Sequence, residues 1–446
     1  MEKGKWKTLG KRKTENGKRM KHTVTEVQLK NGTRGLLIDV PGASVTWHEL
    51  NFRAGEFLVA RRKWEVPHLM EHVVAGGANE YFPDRHIFQA EISKNGAETN
   101  AYTSYYSVSY LGETADFEWE RVLDLYLKGL SKPLFLQQEF DAELGNIRDE
   151  LTSYTNNHFR ELSTELGKSF GFNVATDRER IKLMKHVNRE DLVEHFQKTH
   201  FSRNLRFIIA GSLRGRRSQI KSLLEGLELP RGISRHKLPL EKAKKPAKPT
   251  FLPNETVPNV YLIIDSQFNE ILSVKEDDAL NIARIMLTET LYSKIFGQAR
   301  DKGLVYHVSS GHHISNKVTE WWLSAQVMPA NAPILSDIVL AEIKKVQKGI
   351  ISETELEAAK QYALGSFQRS MQTVHSVASA YSRYFFDGYI EDMKSIPSRI
   401  KAISKRDLTQ TMNRLFVDDI GSVGVLGGTD ANLAPKLYDQ LQALWK

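Results

Sequence analysis

The chain has 446 residues, 41% of them apolar and 26% charged, with a formal net charge of +8. This composition is that of an ordinary globular protein and excludes collagen-like or disordered chains, and the length predicts two or three domains. There is no cysteine, which excludes disulfides and thiolate ligands, so any bound metal must be held by His, Asp or Glu.

Residues 1–22 carry nine Lys or Arg against two Glu and contain no apolar stretch. They do not have the pattern of a secretory signal, and we predict a basic, flexible tail in a cytoplasmic protein. A nucleic-acid-associated role through this tail is an open alternative. We expect no nucleic-acid partner, because the rest of the chain is nearly balanced in charge and lacks an aromatic and basic recognition motif. The apolar runs are too short to span a membrane.

The elements alternate between strands and helices along the chain. "TVTEVQLKNGTRGLLIDV" predicts a hairpin around Asn31-Gly32, and "NLRFIIAGSL" predicts a buried strand. The Pro- and Lys-rich residues 227–250 predict a linker, after which "NVYLIIDS" and "GSVGVLGG" predict further buried strands. We therefore predict an N-terminal domain at 23–226 and a C-terminal domain at 251–446.

The two predicted domains resemble one another. At an offset of 215 residues, "NGAETNAYTSYYSVSY" (95–110) falls on "SGHHISNKVTEWWLSA" (310–325), and at 215 or 216, residues 135–151 fall on 350–366. The pattern predicts an α+β fold of two homologous αβ domains. Each would have a mixed, largely antiparallel sheet with flanking helices.

The segment "WEVPHLMEHVVAGG" contains the strongest chemical signal. Pro67 suits the first turn of a helix and Gly76-Gly77 suits its end, which predicts a short helix over residues 67–75. His68 and His72 then share one face, the spacing that lets two imidazoles reach one ion. Glu71 lies on the same side, where it can contact a metal-bound water as a general base. The alternative is three polar residues that came together by chance.

A second helix offers the remaining ligand. Glu143 and Glu150 in "EFDAELGNIRDELTSY" are two turns apart on one face. Glu150 is our candidate for the third ligand and Glu143 for a carboxylate that orients His72, although carboxylates at this spacing also occur on solvated faces. The 215-residue offset replaces the His and Glu residues with apolar residues or glycine, which favours a metal site confined to the first domain.

These residues resemble a known family. "HLMEH" is similar to the inverted H-x-x-E-H motif of the zinc peptidases of the pitrilysin and insulinase family, and "AELGNIRDE" is similar to the family's distal glutamate pair. The second domain contains "ARDKGLVYHV", similar to a family segment whose Arg and Tyr contact substrate. Two departures are a one-residue shortening of that segment and Ala75, which stands where the family has an aromatic residue.

The resemblance implies a zinc-dependent endopeptidase with one zinc per chain, bound by His68, His72 and Glu150. Glu71 would act as general base, Glu143 in support, and Arg300 and Tyr306 as contributors to catalysis. Peptide or unfolded polypeptide would bind along Asn100, Ala101 and Thr103, on an edge strand. The length resembles the processing-peptidase branch, whose chains pair, and implies half of a clam-shell chamber in a homodimer or heterodimer. The alternative is a non-catalytic, peptide-binding or scaffold subunit.

Overall fold

The computed structural model describes residues 21–417 and 419–445. The predicted basic tail at 1–22 thus lies outside the described residues, apart from its last two positions. The strands are β1 Thr23–Gln28, β2 Arg34–Asp39, β3 Val45–Phe52, β4 Glu98–Thr103, β5 Val108–Ala115, β6 Leu205–Gly211, β7 Thr250–Leu252, β8 Val260–Phe268, β9 Val305–Ile314, β10 Thr319–Val327 and β11 Gly421–Leu426.

Helices occupy most of the remaining chain. They are α1 Val66–Gly76, α2 Arg85–Ser93, α3 Trp119–Ser131, α4 Gln137–Tyr154, α5 His158–Ser169, α6 Asp177–Leu183, α7 Arg189–Thr199, α8 Arg217–Glu225, α9 Val274–Arg284, α10 Phe296–Asp301, α11 Ala332–Gln347, α12 Glu353–Ser370, α13 Val374–Ser379, α14 Tyr384–Asp387, α15 Ile396–Ala402, α16 Lys405–Leu415 and α17 Leu433–Leu441. No helix in the described parts of the chain has the length and apolarity needed to cross a bilayer.

The first half forms a six-stranded sheet in the order β1-β2-β6-β3-β5-β4. Only the β2–β6 pair is parallel. The predicted hairpin around Asn31-Gly32 joins β1 to β2, and Gly32 adopts a φ of 94°, a conformation that favours glycine. β4 is an edge strand of this sheet.

The second half repeats this design in a five-stranded sheet, ordered β7-β11-β8-β10-β9. Its parallel pair is β7–β11, and its other pairs are antiparallel. The strand order and pairing directions match those of β2-β6-β3-β5-β4. The predicted fold, two homologous αβ domains with mixed, largely antiparallel sheets, is confirmed.

The repeat does not follow one offset throughout. The offset is 216 residues between α4 and α12, as predicted. In the sheets, the counterpart of β4 is β9, which ends at Ile314. The alignment of 95–110 with 310–325 was therefore wrong by about four residues, because the connections between β3 and β5 and between β8 and β10 differ in length. The counterpart of α1 is α9 with the π-helical turn after it, and residues 274–289 contain no histidine.

Each half packs helical residues against the sheet of the other half. The face of each sheet that bears the main core packs on helices of its own half. On the opposite faces, Leu162 and Leu166 of α5 pack against Ile263 of β8, while Val374 and Val377 of α13 pack against Ile208 of β6. Residues 227–249 contain no helix or strand. The domain boundaries drawn around this segment stay a prediction.

A buried acid lies at the centre of the second sheet. The carboxyl of Asp265 on β8 is 4% exposed and accepts a hydrogen bond of 2.8 Å from Gln267. Burial, and then the neighbouring Glu320, raise the pKa of Asp265 well above its usual range. In the folded chain the carboxyl therefore holds its proton at pH values where the unfolded chain has lost it.

We expect Asp265→Asn to stabilise the protein at neutral pH. Because the folded-state pKa is raised, the stability contributed by Asp265 is complete below the unfolded pKa and is lost as pH rises through the folded pKa. The amide cannot ionise and should remove this loss, raising the thermal midpoint by roughly 2–4 °C for each kcal/mol regained. Thermal unfolding from pH 4 to pH 8 measures it, with the exposed Asp141→Asn as control. An equal change of the thermal midpoint with pH in wild type, Asp265→Asn and Asp141→Asn would contradict the expectation.

Candidate metal centre

The first helix presents its polar residues to a cavity. α1 begins with Pro67 in its first turn, and it places His68, Glu71 and His72 together, as predicted. The ring centroids of the two histidines are 4.9 Å apart. One ligand atom from each of the three residues lies within 4.8 Å of the others. The carboxyl of Glu71 and the His68 imidazole are mostly buried, so their pairing with one another or with an ion matters energetically.

The third predicted ligand approaches from α4. Glu150 Oε2 lies 3.6 Å from His68 Nε2 and 3.7 Å from His72 Nε2. Donor atoms around a tetrahedral zinc with bonds near 2.0–2.1 Å lie about 3.3–3.4 Å apart. The two distances from Glu150 to the histidines thus exceed this spacing by only a few tenths of an ångström. Two imidazoles and one carboxylate are also a donor set that zinc accepts in catalytic sites.

Glu143 is placed behind His72, away from the three donors. Its Oε2 lies 3.0 Å from His72 Nδ1, while Arg85 and Asn146 donate to the same carboxylate at 3.1 Å each. The hydrogen bond from His72 is the largest of the effects that lower the pKa of Glu143 to about 2. A carboxylate that accepts the Nδ1 proton leaves Nε2 with its lone pair free to bind a metal.

His68 has a similar partner, which the sequence analysis missed. Glu65 Oε2 lies 3.2 Å from His68 Nδ1, and Arg180 donates to both oxygens of Glu65, at 2.6 and 2.9 Å. Burial alone would raise the pKa of Glu65, but His68 and Arg180 lower it to about 2. A carboxylate one helical turn before His68 is a signal present in the sequence. Arg180 is more than 100 residues away, and only the fold reveals it.

Glu71 lies beside the donors with one oxygen held by a neighbour. Thr103 Oγ1 donates to Glu71 Oε2 at 3.1 Å. Burial raises the pKa of Glu71, and the two histidines and Thr103 oppose that rise. A carboxyl with a raised pKa can hold and release a proton closer to neutral pH, as a general base requires.

The donors open into a cavity of about 840 Å³. Asn100, Ala101 and Thr103 of β4 line it, together with the three metal-ligand candidates, Glu71 and Glu143. Because β4 is an edge strand, a backbone edge borders this cavity. Tyr126 Oη lies 3.1 Å from Asn100 O and 2.9 Å from Leu111 O, so its one hydroxyl proton is shared between carbonyls of β4 and β5.

Arg300 and Tyr306 lie together, but not at this cavity. Arg300 Nη1 donates to Tyr306 O at 3.2 Å, and its guanidinium lies 4.6 Å from the centre of the Tyr306 ring. The Tyr306 side chain is highly exposed. Both residues line a separate cavity of about 550 Å³ along β9 and β10. Their predicted catalytic role stays a prediction.

Two family models match the chain. The model described as insulinase (peptidase family M16) matches residues 65–169, which contain every metal-ligand candidate, and the model described as the peptidase M16 inactive domain matches residues 186–362. Together they cover well over half of the chain. The chain belongs to the insulinase family of peptidases. The predicted family resemblance is therefore confirmed.

Relatives of this insulinase-family chain are distant. The A-factor-processing enzyme of Saccharomyces cerevisiae is 29% identical over 124 residues, which are 28% of this chain and 12% of that protein. The insulin-degrading enzyme of Drosophila melanogaster is 23% identical over 189 residues, 40% of this chain and 19% of that protein. The matches span less than a fifth of either relative.

Solved structures match over a greater length. A protease from Helicobacter pylori has a TM-score of 0.77 at 16% identity, and the match covers 91% of this chain and 99% of that chain. A chain of Complex III2 from Candida albicans has a TM-score of 0.76 at 14% identity, covering 94% of this chain and 100% of that chain. At these identities the matches show the fold alone.

If Glu150 is the third ligand, Glu150→Ala should sharply weaken zinc binding. Wild type dialysed against buffered zinc should retain about one zinc per chain, as expected for a three-ligand site. The adjacent Asp149→Asn is the matched control, because Asp149 is exposed on the same helix. Mass spectrometry of the metal content measures all three. Equal zinc in Glu150→Ala and wild type would rule out Glu150 as a ligand.

Proposed function

We propose that the protein is a zinc-dependent endopeptidase that hydrolyses peptides or unfolded polypeptides. The observation that carries the proposal is the convergence of His68, His72 and Glu150 beside Glu71, in a cavity bordered by an edge strand. The family relationship supports peptide hydrolysis as the reaction class. The cytoplasmic location and the absence of a nucleic-acid partner remain predictions.

Each residue has a distinct part in the proposed reaction. A zinc ion held by His68, His72 and Glu150 would supply Lewis acidity, which would polarise a peptide carbonyl and lower the pKa of a neighbouring water. Glu71 removes a proton from that water as its oxygen bonds to the carbonyl carbon. Glu71 then passes the proton to the leaving nitrogen as the C–N bond breaks. Thr103 keeps the Glu71 carboxylate oriented, and Glu143 keeps His72 oriented.

The edge of β4 suits an extended substrate. A peptide that adds to an edge strand forms backbone hydrogen bonds that do not depend on its sequence. Asn100, Ala101 and Thr103 are the β4 residues beside the cavity. A peptide must be extended to pair in this way, which favours peptides and unfolded chains over folded proteins.

Glu71→Gln should abolish peptide cleavage while zinc remains bound. The amide matches the carboxylate in size but cannot accept the proton, and loss of a general base costs roughly 10²–10⁴-fold in rate. Cleavage of a quenched peptide library and metal content are measured on the same sample. Glu120→Gln, on an exposed turn of α3, is the control. Full cleavage by Glu71→Gln would exclude Glu71 as the base.

The second candidate function is a non-catalytic peptide-binding or scaffold subunit. The observation that favours it is the match of residues 186–362 to a model described as an inactive domain. The complete donor set in the first half favours catalysis. A wild-type protein that binds zinc and peptide but cleaves no peptide in the library would support the subunit role.

We further propose that two chains form the active enzyme, as a homodimer or with a related chain. Arg300 and Tyr306 line a different cavity from the metal centre of their own chain. In the resembled family the corresponding residues reach substrate in another domain's site. In a homodimer closed like a clam shell, these side chains would serve the partner's metal centre.

Mixing two impaired variants tests this arrangement. Glu71→Gln retains Arg300 and Tyr306, while Arg300→Ala retains the whole metal centre. In a randomly mixed homodimer, half of the dimers contain one intact composite site, so the mixture should recover about a quarter of wild-type activity. The control is a mixture of Glu71→Gln with His68→Ala, which restores no site. No recovery, with dimers verified by light scattering, would rule out sharing between identical chains.

A further inference from the structure

A line of buried polar side chains lies behind His68. Glu65 is completely buried, and its Oε2 lies 3.2 Å from His68 Nδ1. Arg180 of α6 forms two hydrogen bonds to Glu65, and its Nη2 also lies 3.2 Å from His68 Nδ1. His68 Nδ1 therefore has two neighbours of opposite character.

The two neighbours favour opposite tautomers of His68. A carboxylate only accepts hydrogen bonds, so Glu65 favours a proton on Nδ1 and a lone pair on Nε2, the atom that faces Glu150. A guanidinium only donates, so Arg180 alone would favour a lone pair on Nδ1 and a proton on Nε2. A proton on Nε2 would block metal binding by that atom. The Arg180–Glu65 pairing directs the guanidinium hydrogens to the carboxylate and leaves Glu65 to accept from the imidazole.

The same helix also supports the second ligand-bearing element. Arg180 lies 3.5 Å from Asp177, one turn earlier on α6, and Asp177 receives two hydrogen bonds from Arg160 at 2.7 and 2.8 Å. The Arg160 guanidinium lies 4.8 Å from the ring of Tyr154, which follows Glu150 by one turn of α4. A continuous set of contacts thus connects the neighbourhood of His68 with that of Glu150 through α6.

We propose that Glu65, held in place by Arg180, is a positioning residue that selects the metal-binding tautomer of His68. This inference rests on the proposed metal centre. Carboxylates that orient a metal-bound histidine typically contribute 10–100-fold to metal affinity. Glu65 reaches the metal only through His68 and does not contact substrate.

The test is zinc affinity in Glu65→Gln, measured by competition with a chromophoric chelator. The glutamine amide can donate to Nδ1, which shifts the proton to Nε2, so the zinc dissociation constant should rise by about 10–100-fold. Glu56→Gln is the matched control, since Glu56 is also buried near Arg180 but has no bond to His68. An unchanged constant in Glu65→Gln, or an equal rise in Glu56→Gln, would overturn the proposal.

Imidazole ¹⁵N NMR of the metal-free chain gives a readout that a purely structural role would not change. The His68 signals should report a proton on Nδ1 in wild type and on Nε2 in Glu65→Gln, with His68→Gln providing the assignment. If Glu65→Gln does not fold because Arg180 loses its partner, the double variant Glu65→Gln/Arg180→Met removes the buried charge. The double variant is then measured in place of Glu65→Gln. A proton on Nε2 in wild type would overturn the proposal.

The measurements separate this inference from the proposed function. Zinc binding by wild type with no effect of Glu65→Gln would overturn the role of Glu65 and leave the metal centre intact. No zinc binding by wild type would overturn both. Weakened zinc binding in Glu65→Gln with normal NMR tautomers would overturn tautomer selection alone.

Discussion

The packing of α1 against α4 determines whether this protein has a metal centre. α1 supplies two imidazoles at four-residue spacing. Glu71 on the same turn is the proposed general base, so the third ligand of the proposed site comes from another element. Glu150 comes from a helix about 80 residues later and reaches both Nε2 atoms at nearly equal distances. The position of α4 relative to α1 must therefore be fixed to within a few tenths of an ångström. The packing between the two helices sets this position, and no single residue does so alone.

Charge imposes the next constraint. Glu71, Glu143 and Glu150 surround the two histidines, and burial raises the free energy of any charge that remains unpaired. Burial would lower the pKa of His72, but the hydrogen bond to Glu143 and the charges of the three carboxylates raise it instead. The carboxylates around His72 therefore favour positive charge at this position, which a divalent cation would supply.

The predictable parts of this protein are those encoded locally. The helix at 67–75, the hairpin at Asn31-Gly32 and the two-domain design followed from spacing, turn residues and strand patterns, and His68, Glu71, His72 and Glu143 lie where the motif suggested. The offset of the repeat failed between β3 and β5 because loop lengths carry no periodic signal. Arg180 could not be found because its pairing with Glu65 depends on the tertiary position of α6.

The reciprocal exchange of helices connects the C-terminal half to the candidate metal centre. α4 carries Glu150 and leads through a short turn into α5, whose Leu162 and Leu166 are buried with Ile263 and Leu426 of the second sheet. The C-terminal half therefore anchors the chain shortly after Glu150, the candidate third ligand. Substitutions that remove these contacts would expose the apolar face of α5 and release the end of α4. The substituted residues would nevertheless lie far from the candidate metal ligands. The second repeat thereby stabilises the geometry of the candidate metal centre in the first repeat.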